Sequence, residues 1–227
     1  MSRYYSDKLA AQRLKRVYEI ATPRVQQYLD AELAFVLDRI EPGMTVLDLG
    51  CGYGRTLRPM AAKAGRVVGI DTSLDSLKTA ADDLADLSDI DLACMDAVRL
   101  AFRDHAFDLV VCIQNGISAF HVDTIDLIRE SLRVTRPGGT AIFSSYSEKF
   151  WDSRLEWFQL QAAEGLLGEI NFERTGNGRI VCEDGFTATT VTPARFHALA
   201  AECGVRATIT EVDGSSVFCE IRVPQKI

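Results

Sequence analysis

The apolar positions divide the chain into three stretches. In the first forty residues they recur at helical spacing: Ala10, Leu14, Val17 and Ala21, then Val25, Leu29, Val36 and Ile40, with Leu33 beside them. Two helices are predicted. They part at Thr22-Pro23, where Thr caps a helix well and Pro suits its first position. Glu41-Pro42-Gly43 stops the second. From Met44 short apolar runs alternate with helical patterns. The runs predict strands over 44–49, 66–70, 90–95, 107–113 and 140–145. Between them, helices are predicted over 55–64, 73–87 and 123–134. The run at 107–113 is apolar along nearly its whole length, as expected of a strand covered on both faces.

After Tyr146 the regularity fades. A helix is predicted over 149–167, and a hairpin over 171–184 that turns at Gly176-Asn177-Gly178. A helix over 193–203 and two strands over 206–212 and 216–223, joined at Asp213-Gly214, complete the chain. Strand–helix alternation of this kind predicts an α/β fold: a doubly wound, mostly parallel sheet with helices on both sides. The domain reading is a single domain over 1–227, with 1–40 as a helical cover and 146–190 as a lid insertion.

Composition narrows the function classes. The formal net charge of -7 argues against a protein that lives by neutralising phosphates, so nucleic acid is a disfavoured partner. A local basic cluster, Lys8, Arg13, Lys15, Arg16 and Arg24, reads either as a solvated helix face or as an anion-binding patch. No run of about 18 apolar residues indicates a membrane span, and the first residues lack the apolar stretch of a signal peptide. The six cysteines have no metal-ligand spacing and read as buried thiols of a cytoplasmic protein, so no metal is expected.

The candidate chemistry begins at Asp48-Leu49-Gly50-Cys51-Gly52-Tyr53-Gly54, which follows a strand and opens a helix. Glycines there let the backbone turn sharply and approach a ligand closely. The dinucleotide fingerprint would place its third glycine at position 55, which is Arg; the third glycine is Gly54. Asp48 stands inside the strand end, where a carboxylate repels a pyrophosphate and suits an ammonium group. Asp71 ends the next strand, where it can accept from ribose hydroxyls. Asp96 ends the third. Adjacent parallel strands end on one edge of a sheet, so the three carboxylates should converge on one crevice.

These residues resemble the class I S-adenosylmethionine-dependent methyltransferases, over about 44–145. Val46-Leu47-Asp48-Leu49-Gly50-Cys51-Gly52-Tyr53-Gly54 is similar to that family's first motif, Val68-Gly69-Ile70-Asp71-Thr72-Ser73 to its second and Cys94-Met95-Asp96-Ala97 to its third. The resemblance implies a Rossmann-like sheet of seven strands with an antiparallel C-terminal strand. It implies S-adenosylmethionine as cofactor, with S-adenosylhomocysteine as product. The cofactor residues it implies are Asp48, Gly50, Cys51, Gly52, Gly54, Arg55, Asp71, Thr72, Met95, Asp96, Ala97, Gln114 and Asn115. Within that set, Asp48 would meet the ammonium, Asp71 the ribose and Asp96 the adenine amino group. Gln114 and Asn115 would face the reactive methyl.

A sulfonium methyl is already activated, so alignment and exclusion of water are the protein's main tasks. The loop 114–121 is similar to that of glycine N-methyltransferases and other small-molecule enzymes of the family, which tilts the acceptor toward an amine or amino acid among N, S and O nucleophiles. Asn115, His121 and Tyr146 are the catalytic candidates, His121 as a base. Tyr4, Tyr5, Tyr18, Tyr146 and Arg174 are the acceptor-binding candidates, with Arg179 an alternative to Arg174. Phe150, Trp151, Trp157, Phe158 and Phe172 are expected as apolar walls of the lid. A homodimer, an RNA or protein acceptor, a non-catalytic S-adenosylmethionine-binding subunit and a nicotinamide oxidoreductase stay open as alternatives.

Overall fold

The computed structural model describes Tyr4 and residues 8–225. Two helices come first, α1 (Ala11–Glu19) and α2 (Pro23–Leu37). Thr22 caps α2, its hydroxyl accepting from the Val25 amide, with Pro23 in the first turn. The alternating region follows as β1 (Thr45–Leu49), α3 (Leu57–Ala61), β2 (Arg66–Asp71), α4 (Leu74–Asp83), β3 (Ile90–Cys94), β4 (Phe107–Cys112), the short α5 (Gly116–Ala119), α6 (Thr124–Val134) and β5 (Thr135–Tyr146). A 3-10 turn (Glu148–Phe150) leads into α7 (Trp151–Ala163). Then come β6 (Ile180–Val181), β7 (Thr187–Ala188), α8 (Pro193–Glu202), β8 (Thr208–Val212) and β9 (Ser216–Arg222).

The strands build a seven-stranded sheet in the order β3-β2-β1-β4-β5-β9-β8. All are parallel except β9, which runs antiparallel to both β5 and β8. The sheet order reverses direction between β1 and β4, and a crevice opens outside the carboxyl ends of the strands at such a point. Along β1, Leu47 and Leu49 pack with Ile70, Val110 and Phe143 on one face, while Val46 packs with Val67, Val111 and Phe218 on the other. That is the alternation a buried strand requires. A third apolar cluster lies above the strand ends, where Tyr28 and Leu29 of α2 meet Tyr146, Phe150, Trp157, Phe158 and Phe186.

Some boundaries differ from the pattern. The helix expected over 55–64 is only Leu57–Ala61, and the one expected over 73–87 stops at Asp83. β5 starts at Thr135 rather than at 140. Pro137-Gly138-Gly139 does not turn out of the sheet, because the Gly138 amide donates to the Val223 carbonyl at 2.8 Å and the Val223 amide to the Gly139 carbonyl at 2.9 Å. The predicted Asn-Gly turn is present: Gly176 and Arg179 exchange both backbone hydrogen bonds, with Asn177 and Gly178 at φ of 50° and 76°. A second hairpin, β6–β7, follows it directly.

The basic cluster ties the first two helices to the rest of the chain. Lys15 pairs with Asp83 of α4 at 3.0 Å, Arg16 with Glu164 at 3.0 Å and Arg24 with Asp213 at 2.6 Å. Arg13 donates to the carbonyls of Gly165 and Leu166. These cations are spoken for, so they do not form an open anion patch. Among the described residues, no helix is long and apolar enough to cross a membrane.

Candidate functional site

A cavity of about 670 Å³ occupies the crevice at the strand ends. Its floor is the turn after β1: Asp48, Leu49, Gly50, Cys51, Gly52 and Tyr53 all line it. The turn is anchored to β2, because the amides of Gly50 and Cys51 both donate to the Ile70 carbonyl, at 2.8 and 2.9 Å. Gly50 and Gly52 adopt φ of 76° and 54°, in the left-handed region that side chains resist. There is no room for a side chain either. A Cβ at Gly50 would lie 2.5 Å from the Phe120 ring, and one at Gly52 would lie 2.9 Å from Leu14.

Three carboxylates meet this cavity, each held differently. Asp48 is buried and accepts the Thr56 hydroxyl at 2.6 Å. Burial pushes its carboxyl up to about 6. Asp71 accepts from the amides of Gly52 at 2.9 Å and Ser73 at 2.8 Å, so it ties β2 to the glycine turn while lining the cavity. Burial raises its pKa too, against the pull of these backbone bonds. Asp96 stands exposed at the rim and accepts from the Val98 amide at 3.1 Å. Thr72, Met95 and Ala97 line the same end.

The opposite wall begins where β4 ends. Gln114 and Asn115 are consecutive non-glycine residues in the left-handed region, at φ of 54° and 60°. Glu32 braces this corner. It is 0% exposed on α2 and accepts the Gln114 amide at 3.1 Å and the Ser144 hydroxyl at 2.6 Å. Burial raises its pKa to about 7. The brace fixes Gln114, whose side chain lines the cavity. With its oxygen turned to the Arg55 guanidinium and its nitrogen to the Tyr18 hydroxyl, the Gln114 carboxamide satisfies both neighbours. The Arg55 guanidinium lies 5.1 Å from the centre of the Tyr18 ring.

Residues of α1, β5 and α7 complete the lining. Tyr18, Leu14 and Val17 of α1, Tyr146 at the end of β5, and Trp157, Phe158 and Gln161 of α7 all line the cavity. Trp157 is fixed by its indole N–H, which donates to the Val17 carbonyl at 2.9 Å. Tyr146 stacks against the buried Arg154, whose guanidinium lies 4.3 Å from the ring centre. Burial nonetheless pushes the Tyr146 hydroxyl up to about 12, so it stays protonated.

Thus the cavity brings together Asp48, Gly50, Cys51, Gly52, Arg55, Asp71, Thr72, Met95, Asp96, Ala97, Gln114, Tyr18 and Tyr146. Other residues expected here lie elsewhere. Gly54 packs toward Ala80 and Leu84, which a Cβ would meet at 3.1 and 2.9 Å. Asn115 turns away from the cavity: its amide nitrogen donates to the Thr189 carbonyl at 2.9 Å and its oxygen accepts from Ser145 at 2.7 Å. It is a brace between β5 and the lid. His121 is absent from the lining, although Phe120 and Val122 on either side belong to it. Burial lowers its pKa.

Tyr4 packs edge-on to Phe186 and donates to Asp184 at 2.5 Å, so it is committed to the segment between β6 and β7. Arg174 and Arg179 are exposed in the turns of the lid and face no pocket wall. Phe172 is 62% exposed, and Phe150 is buried against Tyr28. Tyr5 lies outside the described residues.

Several buried polar residues escaped the sequence reading, Glu32 and Gln161 among them. Each of these two interrupts an apolar helical stripe: Glu32 falls between Leu29 and Val36 on α2, and Gln161 one turn beyond Trp157 on α7. A polar side chain in register with such a stripe is the signal that could have found them.

Residues 46–139 match the family described as Methyltransferase domain. The chain is 31% identical over 136 residues to the 2-methyl-6-phytyl-1,4-hydroquinone methyltransferase of Synechocystis, covering 56% of this chain and 42% of that one. It is 32% identical over 140 residues to a malonyl-[acyl-carrier protein] O-methyltransferase of Marinomonas, covering 55% of this chain and 50% of that one. The chain therefore spans about half the length of the curated relatives it matches. The fold is similar to that of the N-methyltransferase NodS of Bradyrhizobium japonicum, solved with S-adenosylhomocysteine, at a TM-score of 0.61 and 17% identity over 96% of this chain and 95% of that one.

Proposed function

Starting from a chain whose residues 46–139 form a methyltransferase domain of the class I S-adenosylmethionine-dependent family, we propose that it transfers the methyl group of S-adenosylmethionine to an N, S or O nucleophile of a small molecule. The observation that carries this reading is the juxtaposition of a glycine cradle, three strand-end carboxylates and a closed aromatic lid around one cavity. The cradle fits the methionyl part of the cofactor, since any Cβ at Gly50 or Gly52 would close it. The donor set fits too: Asp48 suits an ammonium, Asp71 a ribose and Asp96 an adenine amino group, and Arg55 is the cation for the carboxylate.

When bound, the cofactor supplies an electrophilic methyl on a sulfonium. The chain's own residues then have limited work. Gln114, held by Glu32 and Tyr18, faces the reaction region. Tyr18, Tyr146, Trp157 and Phe158 exclude water and align the acceptor. In this proposal residues 1–40 act as the cover and 146–190 as the lid. Asn115 serves by fixing the corner rather than by touching the methyl.

Asp71→Ala should weaken S-adenosylhomocysteine binding by about 1–3 kcal/mol, because it removes both a ribose acceptor and the tie to the Gly52 amide. Calorimetry checks this, and unchanged affinity would mean that the ribose is held elsewhere. Asp48 gives a pH signature. Its folded pKa is about 6, so at pH 5 an ammonium ligand must displace a proton from it. Affinity for S-adenosylhomocysteine should rise about tenfold from pH 5 to pH 7 and then level off. Asp48→Asn should flatten that profile; a slope that survives the substitution assigns the proton to another group.

The reaction itself is tested by a screen of small amines, phenols, thiols and carboxylic acids for formation of S-adenosylhomocysteine. Turnover with one class is expected. No product with any of them contradicts a small-molecule acceptor.

A further inference from the structure

The lid side of the cavity carries a polar group that none of the described residues uses. Gln161 is 3% exposed, lines the cavity, and its carboxamide has no hydrogen-bond partner among the described residues. Its polar atoms are open to the cavity rather than sealed in the core, and a cavity-facing amide without a protein partner points to a ligand that completes it. Its surroundings say what kind. Trp157 and Phe158, one turn back on α7, and Leu14, Val17 and Tyr18 of α1 are apolar or aromatic. Trp157 has its N–H committed to Val17, so the indole offers the cavity only its apolar ring.

The charged residues of the lining are Asp48, Arg55, Asp71 and Asp96. All four belong to the glycine turn and the strand ends, and Arg55 is engaged by Gln114. None lies on the lid. An amino-acid acceptor would bring an ammonium and a carboxylate against a wall whose own lining carries no charge; the lid cation Arg154 lies behind the Tyr146 ring.

Resting on the methyl-transfer reading above, we propose that Gln161 is a specificity-determining residue and that the acceptor is an uncharged, ring-bearing molecule whose hydroxyl or carbonyl its carboxamide hydrogen-bonds. The amide can donate to a carbonyl, accept from a hydroxyl or do both. The ring packs against Trp157 and Phe158, and Tyr146 closes the cavity beneath it. The acceptor loop's similarity to amine enzymes therefore finds no support in the wall that the acceptor would touch.

The test uses full-length protein with S-adenosylhomocysteine and four probes in equilibrium dialysis: 2-naphthol, naphthalene, glycine and ethanolamine. We expect 2-naphthol to bind more tightly than naphthalene, with no binding of glycine or ethanolamine. Gln161→Leu should reduce 2-naphthol affinity by about five- to thirtyfold and leave naphthalene within about twofold. Gln161→Met, closer to glutamine in shape, should behave alike, so a folding defect in one variant leaves the other decisive.

Equal losses for both ring probes, no loss for 2-naphthol, absence of 2-naphthol binding, or preferential binding of glycine or ethanolamine would each overturn the proposal. S-adenosylhomocysteine affinity is read on the same samples. If that ligand fails to bind while the naphthol difference holds, the cofactor reading falls and the Gln161 site stands.

Discussion

Gly50→Ala is expected to weaken S-adenosylhomocysteine binding by about 2–3 kcal/mol, on the order of a hundredfold. Two effects combine. Alanine resists the left-handed backbone at φ of 76°, and its methyl would lie 2.5 Å from the Phe120 ring. The peptide cannot relax easily, because the amides of Gly50 and Cys51 are both tied to the Ile70 carbonyl. The easier escape is for Phe120 to swing away, which alters the cavity that both residues line. Gly165→Ala is the control. Gly165 also has a positive φ, of 66°, but a Cβ there meets nothing within 4 Å. It should lower stability by about 1–2 kcal/mol and leave affinity unchanged. Equal affinities for wild type and Gly50→Ala would show that the cradle is not where the ligand sits.

The second large effect concerns Glu32. Its carboxyl, pushed up to about 7 in the folded chain, binds a proton that the unfolded chain has already released. A raised pKa gives stability that is full below the unfolded value, about 4.3, and lost as pH rises through 7. This one group should take about 3 kcal/mol from the folded state across that window. Asp48, raised to about 6, acts in the same direction.

Glu32→Gln removes the first contribution and keeps the second. Its stability relative to wild type, by urea unfolding, should therefore climb by about 3 kcal/mol between pH 4.5 and pH 8. Parallel curves for the two proteins would show that Glu32 is not the titrating group. A carboxylate that weakens the fold near neutral pH is explained by what it holds: Gln114, in strained backbone, against the cavity.

How much of this was legible in the sequence follows from which interactions are local. The parallel sheet could be read because each strand is a short apolar run and each turn carries its own chemistry. Asp123 and Ser73 cap the helices after them in the way their residue types suggest. The glycine turn and the three strand-end carboxylates were equally readable, since parallel strands must end on one edge.

What failed were the residues whose direction is set by distant partners. Asn115 directly follows Gln114, yet its side chain bonds to Thr189 and Ser145 instead of lining the cavity. Tyr4 found Asp184, at the far side of the lid, rather than a ligand. Gln161 shares its cavity with Leu14, Val17 and Tyr18 of α1, far away in the sequence. These choices depend on packing between segments some 30 to 180 residues apart, which no local periodicity encodes.

The function of the cavity turns on which ligand the glycine cradle holds. Titration calorimetry of the wild-type protein with S-adenosylmethionine, S-adenosylhomocysteine and NADH decides it in one series. Saturable one-to-one binding of both sulfur ligands, with no heat from NADH, is the predicted result. Saturable binding of NADH with no response to either sulfur ligand would contradict it.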